Sequence, residues 1–132
     1  MVEFSIVRCG KGWEKLYMPI VDKVIEHDKQ QKNVKDKIGL AYIKEHDGYL
    51  KICLNQPHNA DSKLIGEIYN AEIKSRNVCE FCGETNDIGV TMNNAYKTTC
   101  KKCWETYILP KHDDSIWQNL TTKKHYKKYQ NE

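Results

Sequence analysis

Hydrophobic residues recur every three or four positions in two stretches of the chain, which is the spacing of one face of an α-helix. The first stretch, residues 13–28, predicts an amphipathic helix with a buried apolar face, and Pro19 either starts this helix or kinks it. The second predicted helix begins near Asp61 or Ser62, since either side chain can cap it, and ends around residues 76–77. Its predicted buried face consists of Leu64, Ile65, Ile68, Tyr69, Ala71 and Ile73.

A different pattern, the alternation of apolar and polar residues, predicts a β-hairpin with strands at residues 38–45 and 49–54. A two-residue loop would place Lys44 opposite Lys51, which is unfavourable for like charges. We therefore expect a three-residue loop with Gly48 in the left-handed conformation. This register pairs Leu40 with Leu54 and Tyr42 with Ile52, and it gathers Leu40, Tyr42, Leu50, Ile52 and Leu54 on one face.

Four of the six cysteines form two Cys-x-x-Cys pairs, Cys79 with Cys82 and Cys100 with Cys103. Each pair places two sulfur atoms on one tight turn, and two such turns joined by a short hairpin can close a tetrahedron of thiolates around Zn²⁺. The spacing lies within the range of structural zinc sites, and Gly83 suits a turn that needs positive φ. Two redox motifs, two disulfides or chance are the alternatives. Four thiolates leave no position open for water, so the single predicted zinc ion is structural.

The remaining pattern completes an α+β prediction: an N-terminal helix, a β-hairpin and a second helix packed on a four-cysteine zinc ribbon. Short strands are predicted at residues 88–92 and 96–99, between the cysteine pairs, and one or two helical turns at residues 104–109. Lysine and tyrosine dominate the end of the chain, where few apolar residues remain to be buried. The predicted parts are residues 1–78, the helix–hairpin–helix unit; residues 79–109, the zinc ribbon packed on it; and residues 110–132, a basic, flexible tail.

Composition narrows the function classes. The chain has 132 residues, enough for about one domain, and a formal net charge of +3, which neither demands nor excludes a polyanionic partner. No apolar run approaches the ~20 residues of a membrane span, and the first residues lack the pattern of a signal peptide. The paired cysteines, with Cys9 and Cys53 as unmatched, buried or half-buried thiols, favour a reducing compartment. We therefore expect a cytoplasmic protein with no membrane contact and no small-molecule substrate.

Several short segments within residues 12–103 form a recognisable series. They are Gly12-Trp13, residues 34–40 (Val-Lys-Asp-Lys-Ile-Gly-Leu), Ala71-Glu72 with Ser75, residues 79–83 (Cys-Glu-Phe-Cys-Gly) and residues 96–103 (Tyr-Lys-Thr-Thr-Cys-Lys-Lys-Cys). This series resembles a family of uncharacterised phage and bacterial zinc-ribbon proteins, whose members tend to show Gly-Gly where this chain has Gly39-Leu40. The resemblance implies a phage-encoded or prophage protein located in the host cytoplasm, with the shared layout. It implies no known activity.

Two non-catalytic functions are compatible with these features. A small zinc-stabilised protein of this kind is expected to act as a protein-interaction module on an unidentified protein partner, by analogy with other small phage proteins. The alternative is a nucleic-acid-binding zinc ribbon, because lysines can contact phosphates and tyrosines can stack on bases. The candidate nucleic-acid-binding residues are Lys97, Lys101, Lys102, Lys123, Lys124, Lys127 and Lys128.

A third function, a degenerate nuclease of the His-Asn-His type, is suggested by residues 79–83, which look like the first metal-bracing pair of such enzymes. That chemistry needs a histidine base between the cysteine pairs to activate water. Residues 83–99 contain no histidine. His112 follows the second pair and is expected to be a surface residue. We therefore expect no catalytic residues and no enzymatic activity.

Overall fold

The computed structural model describes residues 6–93 and 96–128 of the chain. Within these residues two long helices pack against a three-stranded sheet, and a second sheet of four strands follows along the chain. The protein therefore has the predicted α+β class. None of the helices in the described ranges is both long and apolar enough to span a bilayer.

The first sheet and its helices are formed by residues 7–75. The elements are β1 (Val7–Arg8), a 3₁₀ turn (Lys11–Trp13), α1 (Glu14–Lys29), a 3₁₀ turn (Val34–Asp36), β2 (Leu40–His46), β3 (Tyr49–Leu54), a 3₁₀ turn (Pro57–Asn59) and α2 (Ser62–Ser75). The strand order is β1-β2-β3, with β1 parallel and β3 antiparallel to β2. The core of this part consists of Trp13, Tyr17, Ile20, Val21, Val24, Ile38, Ile43, Leu50, Ile52, Leu54, Leu64, Ile68 and Ala71.

The second sheet is formed by residues 88–126. Its elements are β4 (Ile88–Thr91), β5 (Thr98–Cys100), α3 (Lys101–Cys103), a π-helical turn (Trp104–Ile108), β6 (Trp117–Asn119) and β7 (His125–Tyr126). The order is β5-β4-β6-β7, and each neighbouring pair is antiparallel. β4 and β5 confirm the two strands that were predicted between the cysteine pairs.

Both predicted helices are confirmed with boundaries close to those expected. Pro19 lies inside α1, so the helix does not begin at this residue. α2 begins directly after Asp61, whose carboxylate accepts a hydrogen bond from the backbone N–H of Leu64 at 2.8 Å. This cap satisfies one of the donors that a helix start leaves open.

The buried face of α2 is narrower than predicted. Its buried residues are Leu64, Ile68, Ala71 and Ser75. Ile65, Tyr69 and Ile73 were expected beside them but are 42%, 64% and 44% exposed. Each residue of a helix is rotated by about 100° from the one before it, so these three side chains lie beyond the arc that α1 and β3 cover.

Two polar side chains of α2 complete the hydrogen bonding of β3. The Ser75 hydroxyl accepts a hydrogen bond from the backbone N–H of Leu50 at 2.8 Å. The Glu72 carboxylate accepts one from the backbone N–H of Ile52 at 3.0 Å. β3 is an edge strand, and α2 therefore satisfies donors that no further strand pairs with.

The hairpin loop has two residues, not the predicted three. Asp47 (φ 49°) and Gly48 (φ 89°) both adopt positive φ, as a type I′ turn requires. Lys44 therefore lies opposite Lys51, the pairing that the prediction avoided. The Lys44 ammonium lies 4.9 Å from the ring centroid of Tyr42, so the two like charges need not face each other. The preference of Asp-Gly for a type I′ turn outweighs the repulsion between the two lysines, which costs roughly a few tenths of a kcal/mol.

A shift in the register explains why the far end of the hairpin was nevertheless predicted correctly. Leu40 pairs with Leu54 as expected, because the pairing slips between Leu40 and Tyr42. Beyond that slip, Ile43 instead of Tyr42 pairs with Ile52. Ile43 is fully buried, whereas Tyr42 is only half-buried, so the core face contains Ile43 where Tyr42 was expected.

Residues 117–126 contribute two strands to the second sheet, where the sequence predicted a flexible tail over residues 110–132. β6 pairs with β4, and β7 pairs with β6, so the chain up to Tyr126 belongs to the second sheet. Trp117 of β6 is fully buried, its ring centroid lies 6.1 Å from that of Trp104, and its Nε1 donates to the carbonyl of Thr99 at 3.2 Å. Burial of the large Trp117 side chain stabilises β6 and β7 in the sheet. Both strands are too short for an alternation of apolar and polar residues to be visible in the sequence. The last residues, 129–132, lie outside the described part.

Candidate metal centre

The first cysteine pair lies in a tight turn between α2 and β4. The backbone N–H of Cys79 donates to the carbonyl of Glu84 at 2.8 Å, and the N–H of Gly83 donates to the carbonyl of Cys79 at 3.0 Å. Gly83 has a φ of 82°, the positive value that was predicted for this position. These bonds close the turn and hold Cys79 and Cys82 on it.

The second cysteine pair lies where β5 passes into α3. Cys100 is the last residue of β5, and Cys103 is the last residue of α3. The backbone N–H of Cys103 donates to Cys100 Sγ at 3.4 Å. Cys100 also pairs with Ile88 across the strands, which brings the second turn alongside the start of β4.

The structure brings the four predicted cysteines together. Their sulfur atoms all lie within 4.8 Å of one another, and the Sγ atoms of Cys82 and Cys100 are 3.7 Å apart. Cys79, Cys100 and Cys103 are buried, whereas Cys82 is exposed. This arrangement could hold a metal ion.

The chemistry of the four donors fits a soft divalent metal. Burial raises the pKa of Cys100 and of Cys103. Burial acts in the same direction on Cys82, but hydrogen bonds from the Glu84 backbone and from the other three thiols outweigh it and lower the Cys82 pKa. A divalent cation would stabilise four neighbouring thiolates at once, and sulfur ligands favour zinc over the oxygen-seeking Mg²⁺ and Ca²⁺.

The segment before α1 packs directly on the first cysteine turn. The backbone N–H of Gly12 donates to the carbonyl of Glu80 at 2.7 Å, and Trp13 Nε1 donates to the carbonyl of Val78 at 2.9 Å. A Cβ atom on Gly12 would lie 2.1 Å from the carbonyl oxygen of Cys79. Only glycine allows so close an approach. The contact gives a physical reason for a Gly-Trp pair far upstream of the cysteines.

A half-buried ion pair near the cysteines, between Lys97 and Glu45, joins the two sheets. Lys97 Nζ lies 2.7 Å from Glu45 Oε1 and 3.6 Å from Glu80 Oε1. Glu80 is only 4% exposed, and its Oε2 accepts a hydrogen bond from the backbone N–H of Gly10 at 2.9 Å. Sequence reasoning missed this cluster, because its members lie far apart along the chain and share no motif. Lys97, predicted as a nucleic-acid contact, is thus held by internal carboxylates.

The electrostatics of this cluster follow from its burial. Burial raises the pKa of Glu80, and the positive charge of Lys97 offsets this only in part. Burial lowers the pKa of Lys97, but the hydrogen bond to Glu45 and the charge of Glu80 outweigh it and raise that pKa. Burial, aided by the charge of Glu80, raises the pKa of Cys9 to about 12. Cys9 is therefore a neutral, half-buried thiol at ordinary pH, in line with the role expected for it.

The other predicted lysines lie around the end of the second sheet. Lys101 of α3 places Nζ 4.1 Å from the ring centroid of Tyr126 in β7 and 3.9 Å from Glu105 Oε1. Lys128 Nζ lies 3.4 Å from Asp113 Oδ1. The remaining four, Lys102, Lys123, Lys124 and Lys127, are exposed.

An open cavity of about 510 Å³ lies beside the cysteine cluster. Its lining consists of Cys82, Glu84, Asn86, Asp87, Cys100, Lys101, Lys102, Cys103, Thr106 and Tyr107. No histidine is among these residues. His112, the one histidine considered for nuclease chemistry, is exposed as expected.

Similarity to known proteins does not identify this arrangement. No family model matches the chain, and no curated protein or solved structure matches it either. The resemblance to phage and bacterial zinc-ribbon proteins, with the phage origin that it implies, stays a prediction.

Proposed function

We propose that the protein is a non-catalytic nucleic-acid-binding module whose lysine-rich surface is held in place by one zinc ion. The observation that carries this proposal is the contact between Lys101 and Tyr126, whose ammonium and ring centroid are 4.1 Å apart. It joins the second cysteine turn to the last strand. We group the five lysines in or beside these two segments as the proposed basic surface, defined as Lys101, Lys102, Lys123, Lys124 and Lys127.

Charge is concentrated in this part of the chain. Residues 96–128 contain eight lysines and three acidic residues, a net charge of +5 in a chain whose total is +3. Lys97 is paired internally, Lys128 lies near Asp113, and Lys111 lies outside the two segments, so five of the eight lysines belong to the basic surface. A concentration of like charge on one surface favours a polyanionic partner and steers its approach.

An aromatic ring lies within this basic surface. Tyr126 is half-buried, and its ring centroid lies 5.6 Å from that of the fully buried Trp117. The Tyr126 ring therefore packs against Trp117 of the sheet, and the Lys101 ammonium lies next to it. Lysines beside supported aromatic rings are typical of surfaces that bind nucleic acid without strong sequence preference.

Zinc has a structural role in this proposal. Cys79, Cys82, Cys100 and Cys103 supply all four ligands in this proposal, so no coordination position remains for water or substrate and the zinc itself does not catalyse. Cys100 and Cys103 flank Lys101 and Lys102 in the chain. Metal binding therefore fixes the turn that carries two of the five lysines, and loss of the metal disorders part of the basic surface.

The test is fluorescence anisotropy of labelled single-stranded and duplex DNA across a salt series. The Lys123→Gln/Lys124→Gln double variant should bind more weakly than the wild type. It should also lower the log–log salt slope by about 1.4 on single strands, at about 0.7 for each phosphate that is no longer neutralised. The matched control is Lys15→Gln/Lys74→Gln, which removes the same charge from two exposed lysines of α1 and α2.

The control should weaken binding far less than the test variant, because it changes only the net charge. Absence of binding at low salt would overturn the proposal. Equal losses of affinity in both double variants would also overturn it, because binding would then follow net charge and not this surface.

A second candidate function is a protein-interaction module, the function that the sequence favoured. The exposed Ile65, Tyr69 and Ile73 of α2 support it, since they form an apolar row on a helix face that no described part of the chain covers. Under this alternative, Ile65→Ser/Ile73→Ser should abolish co-purification of a specific partner with little change in melting temperature. Lys123→Gln/Lys124→Gln should leave that partner bound.

A further inference from the structure

The cavity beside the cysteines adjoins the basic surface and has the size of a ligand site. Its volume of about 510 Å³ lies within the range of roughly 300–1,000 Å³ found for small-ligand sites. Lys101 and Lys102 belong both to the basic surface and to the wall of this cavity. A nucleic-acid backbone that follows the basic surface therefore passes the mouth of the cavity.

One wall of the cavity is an exposed aromatic ring. Tyr107 lines the cavity and is 54% exposed. Its ring centroid lies 5.3 Å from that of Phe81, which packs against the cysteine cluster. Tyr107 is thus supported by a side chain of the metal-binding turn and still presents surface on which a flat ligand can stack.

A fixed carboxylate forms part of the same lining. Asp87 has a φ of 56°, a conformation that aspartate adopts more readily than most residues. Its Oδ1 accepts a hydrogen bond from Asn119 Nδ2 at 2.9 Å. The Asp87 side chain is therefore held in place, and a carboxylate has further acceptor sites for a donor that enters the cavity.

We propose that this cavity holds one unpaired nucleobase of a single strand. The adjoining phosphates contact Lys101 and Lys102, the base stacks on Tyr107, and an exocyclic amino group of the base donates to Asp87. Cytosine, adenine and guanine carry such an amino group with two donor hydrogens, whereas thymine and uracil offer only the single ring N3–H. The site therefore prefers amino-bearing bases. This inference rests on the proposed nucleic-acid-binding function and names the form of nucleic acid that it takes.

The preference for a single strand follows from access to the base. In a duplex both faces of a base are stacked and its pairing edge is occupied, so the base must be flipped out before it can enter a cavity. A single strand presents its faces and its edges without that cost. Duplex DNA can still contact the lysines, but it gains nothing from Tyr107 or Asp87.

The test compares zinc-loaded wild type, Tyr107→Leu and Asp87→Asn by anisotropy on labelled dC, dA and dT homo-oligonucleotides and on a labelled duplex. Tyr107→Leu should weaken binding of dC and dA roughly 10-fold or more, because one stacking surface is removed, and should leave duplex binding nearly unchanged. Asn tolerates the positive φ of Asp87, so Asp87→Asn should fold normally. It should reduce the preference for dC over dT, because a charged acceptor becomes a neutral one.

The matched control is Tyr69→Leu, which removes a tyrosine of similar exposure from α2. It should change none of these affinities, and zinc content should equal that of the wild type in every variant. Unchanged dC and dA affinities in Tyr107→Leu would overturn the cavity proposal while the basic surface still binds. Equal binding of dC and dT by the wild type would overturn the base preference. Absence of binding to every oligonucleotide would overturn the proposed function itself.

Discussion

The two sheets of this protein have very different interiors. Among the described residues, the first sheet and its helices enclose thirteen buried hydrophobic residues that form one cluster. The cluster beside the second, cysteine-bearing sheet contains four buried residues, of which three are the cysteines Cys79, Cys100 and Cys103. A stacked pair of tryptophans, Trp104 of the π-helical turn and Trp117 of β6, adds two large buried side chains beside that sheet, and Val90 of β4 is buried as well.

This difference indicates two sources of stability in one small chain. Hydrophobic burial can stabilise the first sheet, at about 25 cal/mol for each Å² of apolar surface removed from water. The second sheet has too little apolar surface for that, and a structural metal is the usual substitute in small folds. We infer that the second sheet depends on the metal and that the first does not.

Removal of the metal is expected to give the largest effect. Cys100→Ser, or a chelator, should unfold the second sheet, because binding energies of roughly 10–16 kcal/mol at structural zinc sites are also folding energy. Hydrogen exchange should show loss of protection in β4, β5 and β6 and retained protection in α1 and β3. Elemental analysis should find one zinc per wild-type chain and much less in the variant.

The matched control for this prediction is Cys53→Ser, which changes a half-buried cysteine of β3 outside the cluster. It should keep the metal and the protection of the second sheet. Equal protection of β4 with and without metal would show that the second sheet is stable by itself. Simultaneous loss of protection in α1 would show that the two sheets form one cooperative unit.

Local signals in the sequence were enough to predict most of the first part of the chain. Helix periodicity, the Asp61 cap and the cysteine spacing each depend on residues close together, and the structure agrees with them. The hairpin loop was predicted wrongly, because the alternation of apolar and polar residues does not reveal the register shift between Leu40 and Tyr42. This shift allows Asp47 and Gly48 to form a two-residue turn while Leu40 still pairs with Leu54.

Features that depend on distant residues could not be predicted in this way. The ion pair between Lys97 and Glu45 joins two sheets, and neither residue has a neighbour in sequence that marks it. Strands β6 and β7 have three and two residues, which is shorter than any alternating pattern. The same contrast between local and distant signals holds at the candidate site. The four cysteines could be predicted from their spacing in the sequence, whereas the position of Tyr107 in the cavity wall is known only from the folded structure.

The next largest effect should come from truncating a buried tryptophan that packs in the core beside the first sheet or in the second sheet. Trp13→Ala and Trp117→Ala both remove a fully buried side chain, and each should cost about 3–5 kcal/mol in the metal-bound protein. Without metal, Trp13→Ala should still destabilise the remaining structure, whereas Trp117→Ala should cost almost nothing more. Urea unfolding with and without chelator measures both. A large cost of Trp117→Ala in chelator would contradict a metal-dependent second sheet.

A smaller effect is expected at the junction between the first cysteine turn and the segment before α1. A Cβ on Gly12 would meet the backbone carbonyl of Cys79 at 2.1 Å, so Gly12→Ala must displace one of the two segments, at a cost of about 1–3 kcal/mol. Gly66→Ala is the matched control, because no atom lies within 4 Å of the added carbon in that helix. It should stabilise the protein by roughly 0.5–1 kcal/mol.

Metal titration of the two glycine variants extends the comparison to the centre itself. Gly12→Ala should weaken metal binding, because the carbonyl that it displaces belongs to Cys79, one of the four candidate ligands. Gly66→Ala should leave metal affinity unchanged. Equal metal affinities in the two variants would mean that the cysteine turn keeps its geometry without support from the first part of the chain.

The smallest effect should come from Asp28, which joins the end of α1 to the start of β2. Its carboxylate accepts hydrogen bonds from the backbone N–H groups of Ile38 at 2.8 Å and Gly39 at 2.9 Å. Partial burial raises the Asp28 pKa, but hydrogen bonds from His27, Ile38 and Gly39 outweigh it and lower that pKa. Asp28→Asn replaces one acceptor by a donor and should cost about 1–2 kcal/mol at pH 7.

The pH dependence of this cost distinguishes the two sheets. Because the Asp28 pKa is lower in the folded protein than in the unfolded chain, its contribution is present above the unfolded value of about 3.9 and is lost as the pH falls through the folded value. The difference in stability between Asp28→Asn and wild type should therefore shrink below about pH 4. Thiolates bind protons in competition with a metal, so acid should disrupt the second sheet at a higher pH than it disrupts the contact at Asp28. Amide chemical shifts of Ile38 and Gly39, followed beside those of β4, would report both transitions in one titration. Equal pH midpoints for the transition at Ile38 and Gly39 and for the transition in β4 would mean that the two sheets lose their structure together in acid.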